Sequence, residues 1–291
     1  MRVSRSVLIH AGTHKTGTTS LQLLFTRHRA ELRDHGILYP EAGVWNGGSE
    51  SDSHTNIAWE LIGHRGFDRG SGTLDDLIDE IVASDCEKVL LSSEEYSCLF
   101  AHPEHLRQLK DRFEAAGLTP HIALTLRDVH EYAESLYITL ASFNFEMDYA
   151  EFSERVAAEG QVTYFENTYC FDYALLVGTF AEVFGAQAIT CIDYDPGDVV
   201  TPFLETFDWF FGDVFHGTDL NIRSNTTMSR VEELRNKVRV RQDRIDALGV
   251  EIDGLNVTLD WFRAALAASE ERFSRRVART VRSVITRRQP G

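Results

Sequence analysis

The 291-residue sequence predicts an α/β protein with a central, mainly parallel sheet, extended at its C-terminus by a helical segment. Two observations carry this. Up to about residue 215, short β-rich apolar runs alternate with stretches of helical spacing, the pattern of strands joined by helical crossovers. From Val231 onward the strand signal stops and a heptad repeat replaces it.

Val7–His10 is the first strand, followed by a Gly/Thr loop and a helix from Thr18 to about Asp34. Residues 42–72, rich in Gly, Ser and His, read as a long functional loop. A helix over Thr73–Ala83 leads into a strand at Lys88–Ser92, whose continuous apolar run suits burial on both faces. Pro103–Ala116 carries helical spacing and His121–Leu126 is the third strand. Tyr173–Phe184 reads as a helix, Ala188–Tyr194 as a strand and Val199–Phe211 as mostly helical.

In the C-terminal segment, ten of eleven a/d positions from Val231 to Leu266 are apolar, Arg241 being the exception, so a coiled-coil-like extension is expected. Gly249 and Gly254 lie off that seam and weaken the helix by roughly 1 kcal/mol each. Residues 272–288 then hold seven Arg and no acid, with Phe273, Val277, Val281, Val284 and Ile285 on one helical face. Such a basic amphipathic end suits peripheral contact with the inner face of a membrane, the acidic body of the protein or a neighbouring subunit. The heptads likewise offer a homo-oligomer contact. The expected division is residues 1–229 as a catalytic domain and 230–291 as a helical extension.

Charge follows the same division. Residues 1–229 hold 15 Lys/Arg against 36 Asp/Glu (−21), and residues 230–291 hold 14 against 9 (+5), summing to the overall −16. An acidic body argues against nucleic acid as a partner. No apolar run approaches the roughly 18 residues that cross a bilayer, and the N-terminal apolar stretch is too short for a secretory signal. Cys86, Cys98, Cys170 and Cys191 form no CxxC pair, which predicts reduced thiols in a cytoplasmic protein.

The chemistry concentrates at Gly12-Thr-His-Lys-Thr-Gly-Thr-Thr19, between the first strand and its helix. Backbone N–H groups and the helix dipole bind an anion at such a junction. The two glycines keep the spacing of an NTPase phosphate loop, but Thr18 stands where lysine should precede Ser/Thr, and the lysine is instead Lys15. That displacement weakens the case for ATP with magnesium and suits a ligand with a single phosphate-like 5′ group. No metal is expected.

This loop resembles the 5′-phosphosulfate loop of sulfotransferases that use 3′-phosphoadenosine-5′-phosphosulfate (PAPS), particularly bacterial members with a Thr-His-Lys-Thr-Gly-Thr-Thr form. A second family element is a strand-end Arg with a helix Ser eight residues later, matched by Arg127 and Ser135. The resemblance runs over roughly residues 6–228 and implies a P-loop-like three-layer fold. It implies that His14, Lys15, Thr16, Gly17, Thr18, Thr19 and Ser20 hold the phosphosulfate, with Lys15 stabilising charge on the leaving phosphate. Arg127 and Ser135 would hold the 3′-phosphate. Arg223, in Asn221-Ile-Arg-Ser-Asn225, lies where the family often brings a C-terminal basic loop back over the nucleotide and would be a further contact, although the Arg-Lys-Gly form of cytosolic members is missing. An ion pair with a neighbouring acid is the plainer role for Arg127.

A hydroxyl or amine acceptor must lose a proton as it attacks sulfur. Glu94 and Glu95 end the Lys88–Ser92 strand, on the edge where open α/β sheets bind ligands. Glu94 is the expected base; a helix first-turn acid is the plainer reading of either carboxylate. His54, in the polar loop before Trp59, is the rival base. The acceptor class implied by the resemblance is a carbohydrate or glycolipid, with small hydroxylated metabolites next. From Asp128 to Asp219 there are 18 acids and one cation, Arg155, which disfavours polyanionic acceptors if that surface borders the cleft. The alternatives are a small-metabolite kinase and a non-catalytic nucleotide-fold assembly module.

Overall fold

In a computed structural model the chain divides into two units, Met1–Asn236 and Lys237–Gly291. The structure describes residues 5–220 except 46, 49 and 144, together with position 252. The heptad segment apart from Ile252, the basic segment 272–288 and Arg223 lie outside the described residues.

β1 (Arg5–His10), β2 (Ile37–Leu38), β3 (Lys88–Ser92) and β4 (Leu118–Leu126) belong to one sheet, completed by a later edge strand. Between them run α1 (Thr18–Arg27), α2 (Arg29–Asp34), α3 (Thr55–Ile62), α4 (Leu74–Ala83), α5 (Glu95–Cys98) and α6 (Pro103–Ala115). After β4 come α7 (Val129–Ser142), α8 (Tyr149–Glu159), an antiparallel hairpin of β5 (Gln161–Tyr164) and β6 (Asn167–Cys170), and α9 (Tyr173–Phe184). β7 (Ile189–Asp193), α10 (Val200–Thr206) and α11 (Asp208–Phe211) follow. The five-stranded sheet has the order β2-β3-β1-β4-β7, and every neighbouring pair is parallel.

β1 shows why both faces carry helices. Val7 and Ile9 enter one core and Leu8 the other, and none is more than 1% exposed. β3 divides in the same way, with Val89 and Leu91 opposite Leu90. The first core packs against Leu77 and Ile81 of α4, Leu109 and Phe113 of α6, and Phe180 of α9. The second packs against Leu24 and Phe25 of α1 and the rings of Phe203, Phe207, Phe210 and Phe211. Each fully enclosed side chain of this kind contributes about 1.5–3 kcal/mol through apolar burial. The fold is thus a three-layer α/β sandwich with a parallel central sheet.

Local sequence sets the helix starts. Thr73 and Asp76 form a reciprocal capping box at α4, and Pro103 occupies the first turn of α6. Asp128, Asp148 and Asp172 each accept backbone N–H bonds at the starts of α7, α8 and α9. The expected helix from Thr18 to Asp34 breaks at His28 into α1 and α2, and the expected loop at 42–72 contains α3. All four cysteines are free thiols, with only Cys191 exposed. Among the described residues no helix is long and apolar enough to cross a membrane.

The connection from β1 leads towards β2 on one side of the sheet, and that from β4 towards β7 on the other. Adjacent strands whose connections diverge leave a crevice at their C-terminal edge, where ligands bind in open α/β sheets. The loop after β1 and Arg127 after β4 both lie at this edge.

Candidate active site

The loop leaves β1 without leaving the sheet at once. Ala11 and Thr13 donate their backbone N–H groups to Ala123 and Thr125 of β4, at 2.8 and 3.0 Å. The chain then turns sharply through two left-handed residues, Lys15 (φ 66°) and Gly17 (φ 72°). For a lysine this conformation costs about 1–2 kcal/mol, so the surrounding structure must hold it there. Gly17 is also required by space, since a Cβ there would lie 2.7 Å from Val199 Cγ2.

Thr16 is buried and its hydroxyl donates to Thr13 O at 2.6 Å, closing the loop on itself. Its side chain therefore braces the turn. Gly17 is the N-cap of α1 and supplies no side-chain acceptor, while Thr18, Thr19 and Ser20 form the first turn. Ser20 N–H closes back on Gly17 O at 2.9 Å. An N-terminus with no acid in its first turn and no side-chain cap favours an anion. Lys15 is exposed at the rim of this turn.

Arg127 joins the second element to the first. Its Nη1 donates to Lys15 O at 3.2 Å, while Nε and Nη2 hold Glu131 Oε2 at 3.2 and 3.1 Å. The guanidinium lies 5.1 Å from the Tyr194 ring centroid, and Tyr173 Oη donates to Arg127 O at 2.8 Å. Ser135 stands four residues beyond Glu131, one turn along the same side of α7. Asp128, the neighbouring acid, instead caps α7.

Two further bonds tie the loop and α1 to the end of β3. Gln22 Nε2 donates to Glu94 Oε2 at 3.1 Å, and His14 Nε2 meets Glu95 Oε1 at 3.2 Å. Ser93 Oγ accepts from Glu95 N at 3.2 Å and lies in a hydroxyl chain with Thr55 Oγ1, at 2.7 Å, and Ser53. Each carboxylate thus has one side-chain partner, Gln22 or His14, and the hydroxyl chain anchors the Glu95 backbone. The His14 ring meets Tyr169 of β6 edge-on, with centroids 5.0 Å apart. Burial pulls the His14 pKa down, but the charge and hydrogen bond of Glu95, with Glu94 adding, outweigh it and Lys15, so the net shift is upward.

His14, Glu95 and Cys98 place one ligand atom each within 4.8 Å of one another, a set able to hold a metal ion. Binding one there requires the Cys98 thiolate, and burial together with Glu95 pushes that thiol's pKa well up.

His54 is placed differently from the solvent-facing base its polar neighbours suggest. It is 0% exposed; Nδ1 accepts from Ser92 N at 3.2 Å and Nε2 faces Pro40 O at 3.1 Å. Both ring nitrogens are engaged by backbone, so no lone pair is left for a substrate proton. Burial lowers its pKa to about 3. His10, at the end of β1 with Nδ1 2.9 Å from Ser92 Oγ, is likewise lowered to about 3 by burial.

These two histidines set a pH dependence. Between about pH 3 and 6.5 the unfolded chain protonates both while the native state leaves both neutral. Stability therefore falls as pH drops below 6.5, with a slope from the pair that steepens towards about 3 kcal/mol per pH unit. Denaturant melts between pH 6.5 and 5 should show this loss, and a flat profile would contradict the buried neutral rings. His14 contributes in the opposite sense: its part is fully present below pH 6.5 and is lost as pH rises through its raised pKa.

No protein-family model matches the chain, and no curated protein matches it in sequence. Among solved structures, the crystal structure of a sulfotransferase from Alicyclobacillus acidocaldarius matches over 84% of this chain and 96% of its own, at 17% identity and a TM-score of 0.44.

Sequence reasoning did not anticipate Gln22, or Glu95 as partner of His14, whereas Tyr169 was among the aromatic residues (Phe143, Phe145, Tyr149, Tyr164, Tyr169 and Trp209) that the sequence offers as walls of an acceptor site or as core. Gln22 carried a local signal, a polar residue one turn beyond Thr18 on a helix face that otherwise holds core residues.

Proposed function

We propose that this chain is a PAPS-dependent sulfotransferase acting on a hydroxyl or amine acceptor, with carbohydrates, glycolipids and small hydroxylated metabolites as the acceptor classes. The observation that carries this reading is the Arg127 Nη1 bond to Lys15 O. It sets the strand-end arginine, whose other donors hold Glu131, against the backbone of the anion loop, which supports a reading in which two separate cations serve one crevice. A ligand with a single phosphate at one position and a phosphosulfate at another needs that arrangement.

In this reading the acceptor oxygen or nitrogen forms the new bond to sulfur while the bond from sulfur to the bridging 5′-phosphate oxygen breaks. The electron pair leaves with adenosine 3′,5′-bisphosphate (PAP). Lys15 and the first turn of α1, Thr16 to Ser20, take up charge on that phosphate. Glu94 accepts the acceptor's proton, its carboxylate held by Gln22. Arg127 and Ser135 hold the 3′-phosphate.

Arg127→Ala removes a charge-assisted contact and should weaken PAP binding about 10- to 100-fold, read by calorimetry. Unchanged affinity would detach Arg127 from the nucleotide. The reading itself is tested by incubating the purified chain with radiolabelled PAPS and separate glycolipid, carbohydrate and small-metabolite fractions. Label transferred to one fraction is the expected result, and release of label only to water overturns it.

A further inference from the structure

We infer that His102, Glu104 and His105, where the chain enters α6, form a binding site for a divalent transition-metal ion of the zinc class. The site is independent of the sulfotransferase reading.

The geometry carries it. Glu104 Oε1 lies 3.6 Å from His102 Nδ1 and 3.9 Å from His105 Nε2, and one ligand atom from each of the three residues falls within 4.8 Å of the others. These separations are long for hydrogen bonds. They are close to what a metal demands, because bonds of about 2.0–2.2 Å at tetrahedral angles set ligand atoms about 3.3 Å apart. Among the described residues, the ion-pair partners of Glu104 are those two imidazoles alone, so no lysine or arginine competes for its carboxylate.

The backbone that presents the three donors is held on both sides. Leu99 and Phe100 before it and Leu106 after it are buried in the first core. His102 N donates to Leu99 O and His105 N to His102 O, each at 2.9 Å, and Pro103 fixes the backbone between them. An ion therefore meets donors already gathered, and little conformational freedom is lost in binding it. Side-chain exposures of 39% for His102, 63% for Glu104 and 28% for His105 leave the cluster open to a hydrated ion.

Donor chemistry selects the ion. Two imidazoles and one carboxylate suit Zn2+ and its neighbours Co2+, Ni2+ and Cu2+, whereas Mg2+ and Ca2+ take oxygen ligands. Three protein ligands leave a fourth position for water. Unlike the set of His14, Glu95 and Cys98, this one requires no buried thiolate. A bound ion ties the short turn Leu99–Ala101, which follows α5, to the first turn of α6.

Calorimetric titration of the chelator-treated full chain with zinc chloride at neutral pH should show a saturable site that Mg2+ does not compete for. His102→Gln, Glu104→Gln and His105→Gln should each weaken zinc binding there at least about tenfold, and the double variant His102→Gln/His105→Gln should abolish it. His14→Gln should leave it unchanged. His102 makes no side-chain cap bond at α6, so every variant at the site should melt in chelator as the wild type does. Absence of saturable zinc binding below about 1 mM overturns the inference. So does zinc binding that survives undiminished in His102→Gln/His105→Gln, or that is lost instead in His14→Gln, which would place the ion on the other cluster.

Discussion

Lys15→Met should lower sulfuryl transfer by about 1000-fold with the fold intact. A cation placed where charge develops in the transition state is worth about 3–4 kcal/mol, which sets that size. The variant isolates the side chain. Arg127 bonds to the Lys15 carbonyl, which methionine retains, and methionine at φ 66° pays the same conformational cost as lysine. The loop should therefore keep its shape, and PAP should still bind, more weakly by about tenfold through loss of one ionic contact. Steady-state kinetics with PAPS and calorimetry with PAP separate the two effects. A Lys15→Met enzyme within tenfold of wild type in kcat/KM would remove Lys15 from the chemistry.

Glu94→Gln should reduce kcat by about 100- to 10,000-fold while leaving PAP affinity unchanged. A glutamine there presents a carbonyl oxygen to which Gln22 Nε2 can still donate, so the strand end keeps its anchor. Only the capacity to accept a proton is removed. The split between kcat and nucleotide affinity is the diagnostic feature, because a helix-capping acid would move stability and not turnover. Near-normal turnover in this variant would assign Glu94 to the first turn of α5 alone.

The parts of the fold legible in the sequence are those whose cause is local. β1 and β3 are apolar runs because they lie inside the sheet with helices on both faces. β4 begins at Leu118, three residues before the expected start, because Pro120 reads as a breaker. The structure tolerates that proline because β7 joins β4 only at Ile122. The β5–β6 hairpin is hidden from sequence for a similar reason. Its two-residue turn is Phe165-Glu166, with Phe165 at φ 52°, and not the Asn-Gly or Asp-Gly pair that announces such a turn.

The candidate site divides in the same way. The loop from Gly12 to Thr19 and the carboxylates at the end of β3 could be read from order and spacing. Their pairing could not: Gln22 and Glu94 are 72 residues apart and His14 and Glu95 are 81 apart, and only the parallel register of β1 with β3 brings them together. His54 shows the converse error. Its neighbours Asp52 and Ser53 look solvated in sequence, yet Asp52 O accepts from Tyr39 Oη at 2.6 Å and Ser53 joins the hydroxyl chain behind β3. Polar residues turned inward and satisfied there carry the histidine into the core with them.

Calorimetric titration of the full chain with PAP, in buffer containing a metal chelator, tests the central claim most directly. The account predicts one site per chain, with affinity unaffected by added magnesium and weakened by Arg127→Ala. Failure to bind PAP, together with binding of ATP only when magnesium is supplied, would contradict it.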